Sequence, residues 1–191
     1  MTFIAGAVAN ARRNKVAGTT QIAKLASMRT LSLAAFAMTL FAALPAWADC
    51  TDPPDPGVNW QGCNFNGLTL TELNLVGGRL REASFLRSDI SGSDLREIEG
   101  YKARFVSAKL RNVDFEAAQL ARADFTKADM TGANLTDADL RNARLYQTIL
   151  REANLTGAKL GGADLANADL SGATWIDGER VCREGSIGRC F

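Results

Sequence analysis

The sequence predicts an all-β solenoid, because one five-residue pattern runs almost without interruption over residues 63–177. Every residue whose number is a multiple of five, from Phe65 to Trp175, is large and apolar except Gly100. The residue two places earlier is small in most units, and it is alanine in all but two units over residues 103–173. A period of five fits neither a helix nor a plain strand. Fixed short periods are typical of stacked repeat architectures.

Within each unit, the pattern predicts a short extended segment followed by a turn. The small residue and the large residue lie two places apart, so both side chains face the same way, toward the core. The other three positions are polar or glycine, as the segment Ala-Asp-Leu-Ala-Asn-Ala-Asp-Leu-Ser-Gly at 163–172 shows. The two residues after the large one are expected to turn a corner, where glycine at the last position is favourable. Units with such a glycine end at Gly92, Gly132, Gly157 and Gly172.

The units Ala-Asn-Leu-Thr-Asp, Ala-Asp-Leu-Arg-Asn and Ala-Asp-Leu-Ser-Gly resemble those of the pentapeptide-repeat proteins. The resemblance extends over residues 63–177. It implies a right-handed quadrilateral β-helix with four units in each coil. The twenty-three units centred on Phe65 through Trp175 would then form about six coils.

A second period, of twenty residues, agrees with a coil of four units. Residues twenty apart would stack in such a coil, and one column would hold four phenylalanines: Phe65, Phe85, Phe105 and Phe125. Stacked aromatic pairs gain about 0.5–1.5 kcal/mol beyond their burial. We therefore predict an internal phenylalanine ladder with a purely structural role.

Gly100 interrupts the apolar series, and three interpretations remain open. The coil could keep its register with a dent, or Ile98 could replace the missing side chain from two places earlier. Alternatively, the coil could widen and expose Tyr101 for contact with a partner.

Residues 1–48 are predicted to be a secretory signal peptide. They carry basic residues and no acidic residue, and an apolar run over 31–44 precedes Ala46-Trp47-Ala48, an Ala-x-Ala cleavage pattern. The run is shorter than the roughly 20 residues that span a bilayer, so no transmembrane anchor is expected in the mature protein. Met28 would begin a signal of ordinary length, so either Met28 is the true start or residues 1–27 are a dispensable extension.

All four cysteines follow the predicted cleavage site, as expected of an exported chain with disulfides. Cys50 and Cys63 lie at the start of the repeat, and Cys182 and Cys190 lie after it. Six coils would separate the two ends by about 27 Å, whereas the Cα atoms of a disulfide lie within about 7 Å. We therefore predict the pairs Cys50–Cys63 and Cys182–Cys190, which close an amino-terminal cap at 49–62 and a carboxy-terminal cap at 178–191. The cysteine spacing does not match a zinc site.

The sequence predicts neither an enzyme nor a metal or cofactor site. It contains no histidine, which excludes the usual triads and histidine ligands. A core filled by leucine, phenylalanine and alanine leaves no cavity for a substrate, and the carboxylates are spaced evenly on outer faces without a pocket to shift their pKa.

Charge distinguishes the four expected sides, each named here by its first repeat centre. The Phe65 side has four basic and two acidic residues, and the Leu80 side has six basic and three acidic residues. The Leu75 side has one basic and six acidic residues, and the Leu70 side has three basic and five acidic residues. The mature chain has 17 basic and 21 acidic residues, a net charge of −4, which does not suggest a nucleic-acid binder. The two basic sides are neighbours, and we predict a binding edge there that consists of Arg87, Tyr101, Lys102, Arg104, Arg122, Lys127, Arg141, Arg144 and Tyr146.

The predicted function is that of an exported structural or binding module, in the periplasm or outside the cell, which presents its charged faces to a protein or an anionic envelope component. The resemblance implies an alternative, because some pentapeptide-repeat proteins mimic DNA and inhibit topoisomerases. That role requires a cytoplasmic protein with an acidic surface, so the signal peptide disfavours it.

Overall fold

The computed structural model describes residues 50–191, and the predicted signal peptide lies outside the described residues. Parallel β-bridges join residues twenty apart, from Asn59–Arg79 to Asn154–Thr174. The bridges form four columns, so each coil has four sides and twenty residues. Within residues 50–191, each side contributes a single bridged residue rather than a longer strand, and there is no α-helix.

The repeat unit folds as its pattern predicts. Ala133 and Leu135 are both fully buried, whereas the residues that follow them are at least partly exposed. From residue 57 to residue 172, the last residue of every unit adopts a positive φ, for example 56° at Asn142 and 72° at Gly172. Glycine adopts this conformation without a steric penalty, and asparagine and aspartate tolerate it better than most residues. The turn is not restricted to these residue types, however, since Glu82 and Arg122 adopt it as well.

Backbone hydrogen bonds tie each coil to its neighbours. The Phe105 amide donates to the Asp124 carbonyl at 2.7 Å, and the Asp124 amide donates back to the Ala103 carbonyl at 2.9 Å. This exchange is repeated along all four sides, so the backbone polar groups between coils are satisfied without long strands. No buried side-chain nitrogen or oxygen lacks a partner within the described part of the chain.

The core is a column of stacked side chains, including the predicted phenylalanine ladder. Ring centroids lie 5.1, 5.2 and 5.0 Å apart along Phe65, Phe85, Phe105 and Phe125, and all three pairs are stacked. Phe115 lies edge-on to two of these rings, at 6.0 Å from each. Trp60, which lies on the Leu80 side, contacts the first ring of the ladder, with its centroid 4.4 Å from that of Phe65. Aromatic contacts therefore run through the first half of the stack.

At the amino-terminal end, the repeat pairing reaches into the segment that we assigned to a cap at 49–62. Asn59 is bridged to Arg79, and Val58 and Trp60 are buried in the core. These two apolar residues lie two places apart, as in later units. A disulfide joins Cys50 to Cys63, with Cα atoms 5.5 Å apart, as predicted.

At the other end, the chain reverses direction and covers part of the last coil. Thr174 and Asp169 form antiparallel bridges with Val181 and Ile187. This segment covers the edge on the Leu75 and Leu70 sides. The predicted disulfide Cys182–Cys190 closes it. Covering an edge in this way limits pairing with other chains.

Gly100 causes no break in the coil. The bridges of Glu99 to both neighbouring coils keep the register. Ile98 is fully buried, and a Cβ added to Gly100 would lie 3.4 Å from its Cδ1 and 2.8 Å from the Cδ2 of Leu120. The large and small residues have therefore exchanged places in this unit. The alternative of a widened coil that exposes Tyr101 is wrong.

This exchange predicts compensation between Ile98 and Gly100. Ile98→Ala should leave a cavity and lower the free energy of unfolding by about 2–5 kcal/mol. Gly100→Leu should overpack the coil against Leu120 and cost about 1–3 kcal/mol. The double variant restores the usual alanine and leucine arrangement, so it should be more stable than either single variant in guanidinium unfolding. Additive losses in the double variant would contradict this account.

The second disulfide should stabilise the carboxy-terminal cap alone. Replacing Cys182 and Cys190 by serine removes a short covalent loop and should cost about 2–3 kcal/mol locally. Hydrogen exchange should accelerate at Leu170 and Gly172, whose amides donate to carbonyls of residues 182–186, and should remain slow in the central coils. Loss of protection throughout the stack would show instead that the cap controls the whole fold.

Candidate functional site

A basic groove lies at the corner where the Leu80 side meets the Phe65 side. It has a volume of about 770 Å³. Its lining residues are Glu82, Lys102, Arg104, Arg122, Asp124, Asn142 and Arg144. Four of these residues are basic and two are acidic, so the lining carries a net charge of +2. The groove lies on the two sides that the sequence predicts to be basic.

The repeat itself builds the two walls of the groove. One wall consists of last-position residues of successive units, Glu82, Lys102, Arg122 and Asn142, all of which have a positive φ. The other wall consists of bridged residues, since Arg104 is bridged to Asp124 and Asp124 to Arg144. Because each wall advances by one coil per residue, the groove runs across the stacked coils. The backbone fixes the position of every Cα atom that lines it.

Ion pairs inside the groove follow the columns. Lys102 Nζ lies 3.8 Å from Glu82 Oε1, and Arg144 Nη1 lies 3.7 Å from Asp124 Oδ2. Each acid thus pairs with the base that follows it in its own column. Such exposed pairs contribute about 0–1 kcal/mol, so an anionic ligand can compete for the bases.

Two arginines in the middle of the groove remain without such a partner. Among residues 50–191, neither Arg104 nor Arg122 has an acidic side chain within ion-pair distance. Arg104 belongs to one wall and Arg122 to the other, on the next coil. Their positive charges are therefore the least neutralised in the groove.

The structure separates the predicted binding edge into two parts. Four of its nine residues line the groove, namely Lys102, Arg104, Arg122 and Arg144. The other five, Arg87, Tyr101, Lys127, Arg141 and Tyr146, lie outside the lining. Sequence reasoning missed Glu82, Asp124 and Asn142 as lining residues, although their spacing of twenty from predicted members was the available signal.

Tyr101 and Arg141 are engaged within the chain. Cations approach the Tyr101 ring from Arg81 at 5.2 Å and from Lys102 at 5.3 Å. Arg141 donates two hydrogen bonds to the Asp139 carboxylate, at 2.8 and 2.6 Å. The side chain of Tyr146 is exposed. Arg141 is thus less available to a partner than Arg104 and Arg122 of the groove.

Many aspartates have a structural task at the corners. Asp124 Oδ1 accepts a hydrogen bond from the Thr126 amide at 3.0 Å, and Asp94 Oδ1 accepts one from the Arg96 amide at 3.2 Å. This local contact to the backbone two residues on is the Asx turn. Hydrogen bonds from the Arg96 side chain also hold the pKa of Asp94 below its ordinary value. Acidic residues on these sides therefore stabilise turns, whatever else they do.

The described residues hold no group of metal-ligating side chains, since no cluster of three or more histidine, cysteine, aspartate or glutamate residues could bind an ion there. Both cysteine pairs of this part of the chain are oxidised. The same residues contain no helix that is long and apolar enough to cross a membrane.

A family model described as pentapeptide repeats matches the chain in eight copies, over residues 57–85, 63–99, 101–137 and 133–172. These matches cover more than half of the sequence, and the chain belongs to the pentapeptide-repeat family. The family fold is a right-handed quadrilateral β-helix, in agreement with the four columns of bridges. Family members are in general structural or binding modules rather than enzymes.

Several solved structures are similar to this chain. HetL, a pentapeptide repeat protein involved in heterocyst differentiation regulation from the cyanobacterium Nostoc sp. strain PCC 7120, is 30% identical over 64% of each chain, with a TM-score of 0.41. The match thus spans 64% of HetL. Rfr23 from the cyanobacterium Cyanothece 51142 is 26% identical over 60% of this chain and 88% of its own, with a TM-score of 0.43.

QnrB1, a plasmid-mediated fluoroquinolone resistance protein, is 19% identical over 69% of this chain and 77% of its own, with a TM-score of 0.49. Comparison with curated proteins finds no match.

The pairing of Arg141 with Asp139 predicts a pH effect. Hydrogen bonds from Arg141 hold the pKa of Asp139 below its ordinary value, so the carboxylate stabilises the fold above its unfolded pKa. That contribution should disappear as the pH falls through the lower folded pKa. In a carboxyl NMR titration, Arg141→Gln should raise the midpoint of Asp139. Arg81→Gln, in the same column three coils away, is the matched control and should leave it unchanged. An unmoved midpoint in Arg141→Gln would disprove the assignment.

Proposed function

We propose that the protein is an exported, non-enzymatic binding module that holds an anionic partner of the cell envelope in its basic groove. The observation that carries this proposal is the pair of unneutralised arginines between two walls with net positive charge. A surface potential of this kind attracts and orients anionic partners.

The disulfides support export to the periplasm or the cell exterior. Both ends of the described chain are closed by a disulfide, and no cysteine in residues 50–191 is free. Structural disulfides persist in oxidising compartments and are rare in the cytosol. They agree with the signal-peptide pattern of residues 1–48.

The groove suits binding better than catalysis. It is an open concavity on the outside of a filled core, and its lining contains no histidine, cysteine, serine or threonine. A serine, threonine or cysteine nucleophile with an adjacent histidine base is therefore missing from the lining.

The length of the groove favours an extended partner. Its corner wall advances three coils from Glu82 to Asn142, about 14 Å at the spacing of neighbouring strands. We infer a stack of about six coils from the twenty-three units of the sequence, so the groove occupies about half of the stack.

The alternative of a DNA-mimicking, topoisomerase-directed protein requires an acidic contact surface in the cytoplasm. Here several carboxylates of the acidic sides already bind turn amides or arginines. The groove is basic, which suits an anionic ligand and opposes a DNA-binding enzyme as partner.

Charge reversal tests the groove. Replacing Arg104, Arg122 and Arg144 together by glutamate should weaken binding to envelope extract at least tenfold in affinity capture, because the lining would change from net positive to net negative. The control replaces Arg79, Arg81 and Lys159 by glutamate as well. These residues lie on the Leu80 side outside the groove, so the control should weaken binding less than threefold. Equal binding by wild type and groove variant, with circular dichroism unchanged, would refute the proposal.

Cell fractionation tests export separately. The processed protein should be recovered, with both disulfides formed, from the periplasm or the medium. Retention of a reduced protein in the cytoplasm would contradict the proposed location and reopen the topoisomerase alternative.

A further inference from the structure

We propose that Arg104 and Arg122 form a phosphate-binding centre, so that the ligand of the groove is a linear phosphate-bearing polymer. This inference rests on the proposed function and specifies its partner. It depends on how charge is distributed within the groove rather than on its total charge.

The ion pairs leave a defined gap in the middle of the groove. Glu82 is paired with Lys102 at one end, and Asp124 is paired with Arg144 at the other. Arg104 shares a coil with Lys102 on the opposite wall, and Arg122 shares the next coil with Asp124 on the opposite wall. Asp124 also accepts a hydrogen bond from the Thr126 amide, which holds its carboxylate against its own wall. Two arginines without an ion-pair partner among the described residues therefore lie on opposite walls of the two middle coils.

The chemistry of this position favours a phosphate over a carboxylate. Each guanidinium presents a planar fork of donors. A carboxylate has two oxygens in one plane, and a single arginine in bidentate contact occupies both. In a phosphate chain, each phosphorus carries two non-bridging oxygens in a tetrahedral arrangement, so arginines from opposite walls can each bind one of them. Lysines in the same places would act only as point charges.

The pairs at the two ends of the groove suit a ligand with repeated charges. Their separations of 3.8 and 3.7 Å are longer than the 2.6 Å between Arg141 and Asp139 outside the groove. A long, exposed ion pair is readily exchanged for another anion. Lys102 and Arg144 can therefore turn to the neighbouring phosphates of a chain that passes along the groove. A small ion would use only the centre.

The test compares two anionic polymers that carry equal charge on different groups, phosphates in one and carboxylates in the other. The purified protein, produced with its own amino-terminal segment, is titrated by calorimetry with inorganic polyphosphate and with polyglutamate at matched charge concentration. The variants are R104Q/R122Q and the control R79Q/R87Q, which removes the same charge from the same two sides outside the groove.

Wild type should bind polyphosphate at least tenfold more tightly than polyglutamate. R104Q/R122Q should bind polyphosphate at least tenfold less tightly and should no longer prefer it to polyglutamate. R79Q/R87Q should lose less than threefold in polyphosphate affinity and should keep this preference. Equal binding of both polymers, or equal losses in both variants, would overturn the phosphate centre. The proposed function would survive that result if the triple charge reversal still abolished envelope binding.

Inorganic phosphate distinguishes a polymer from a small ligand. At the same total phosphate concentration, it should fail to displace polyphosphate, because it reaches only the central arginines. Full displacement would overturn the polymer as ligand.

Discussion

The pairing of one small and one large inward side chain in every unit is the constraint on which the rest of this structure depends. The pair fills the interior of a coil whose backbone turns a corner every five residues. It thereby brings residues twenty apart into parallel bridges, and all later features follow from that register. Where the pair is inverted, at Ile98 and Gly100, the bridges continue because the combined volume still fits. The fold responds to the volume of the pair more than to its order.

The same register organises the surface. Outward residues twenty apart are neighbours, so charges combine or cancel along columns rather than along the chain. On the Leu75 side, Arg96 binds Asp94 and also lies 3.8 Å from Asp114 in the next coil. In the groove, the order of bases and acids leaves Arg104 and Arg122 without such partners. Local pairing therefore decides which of several similar charges face solvent unneutralised.

The spacing of residues was sufficient to predict the repeat and the phenylalanine column. The resemblance to the pentapeptide-repeat proteins implied the four sides, and the resulting length of the stack led to both cysteine pairs. The first bridge at Asn59 was missed because the unit with Val58 and Trp60 has neither alanine nor leucine at its inward positions. The groove could be predicted only to the level of a basic edge. Arg141 binds Asp139, whereas Arg122 has no ion-pair partner within the described residues. This difference depends on side-chain reach and on competing turn contacts, which cannot be read from the sequence.

The positive φ at the last position of the units means that they all turn through the same corner, and this limits which insertions and deletions of units preserve the surface. Gaining or losing one unit would preserve the buried pairs, because every unit meets the same interior. It would also rotate all later units by a quarter turn, so that Arg144 would leave the wall of the groove for another side. Only a change of four units would return each outward residue to its column. The packing of the interior thus does not depend on the number of units, whereas the arrangement of the binding surface does.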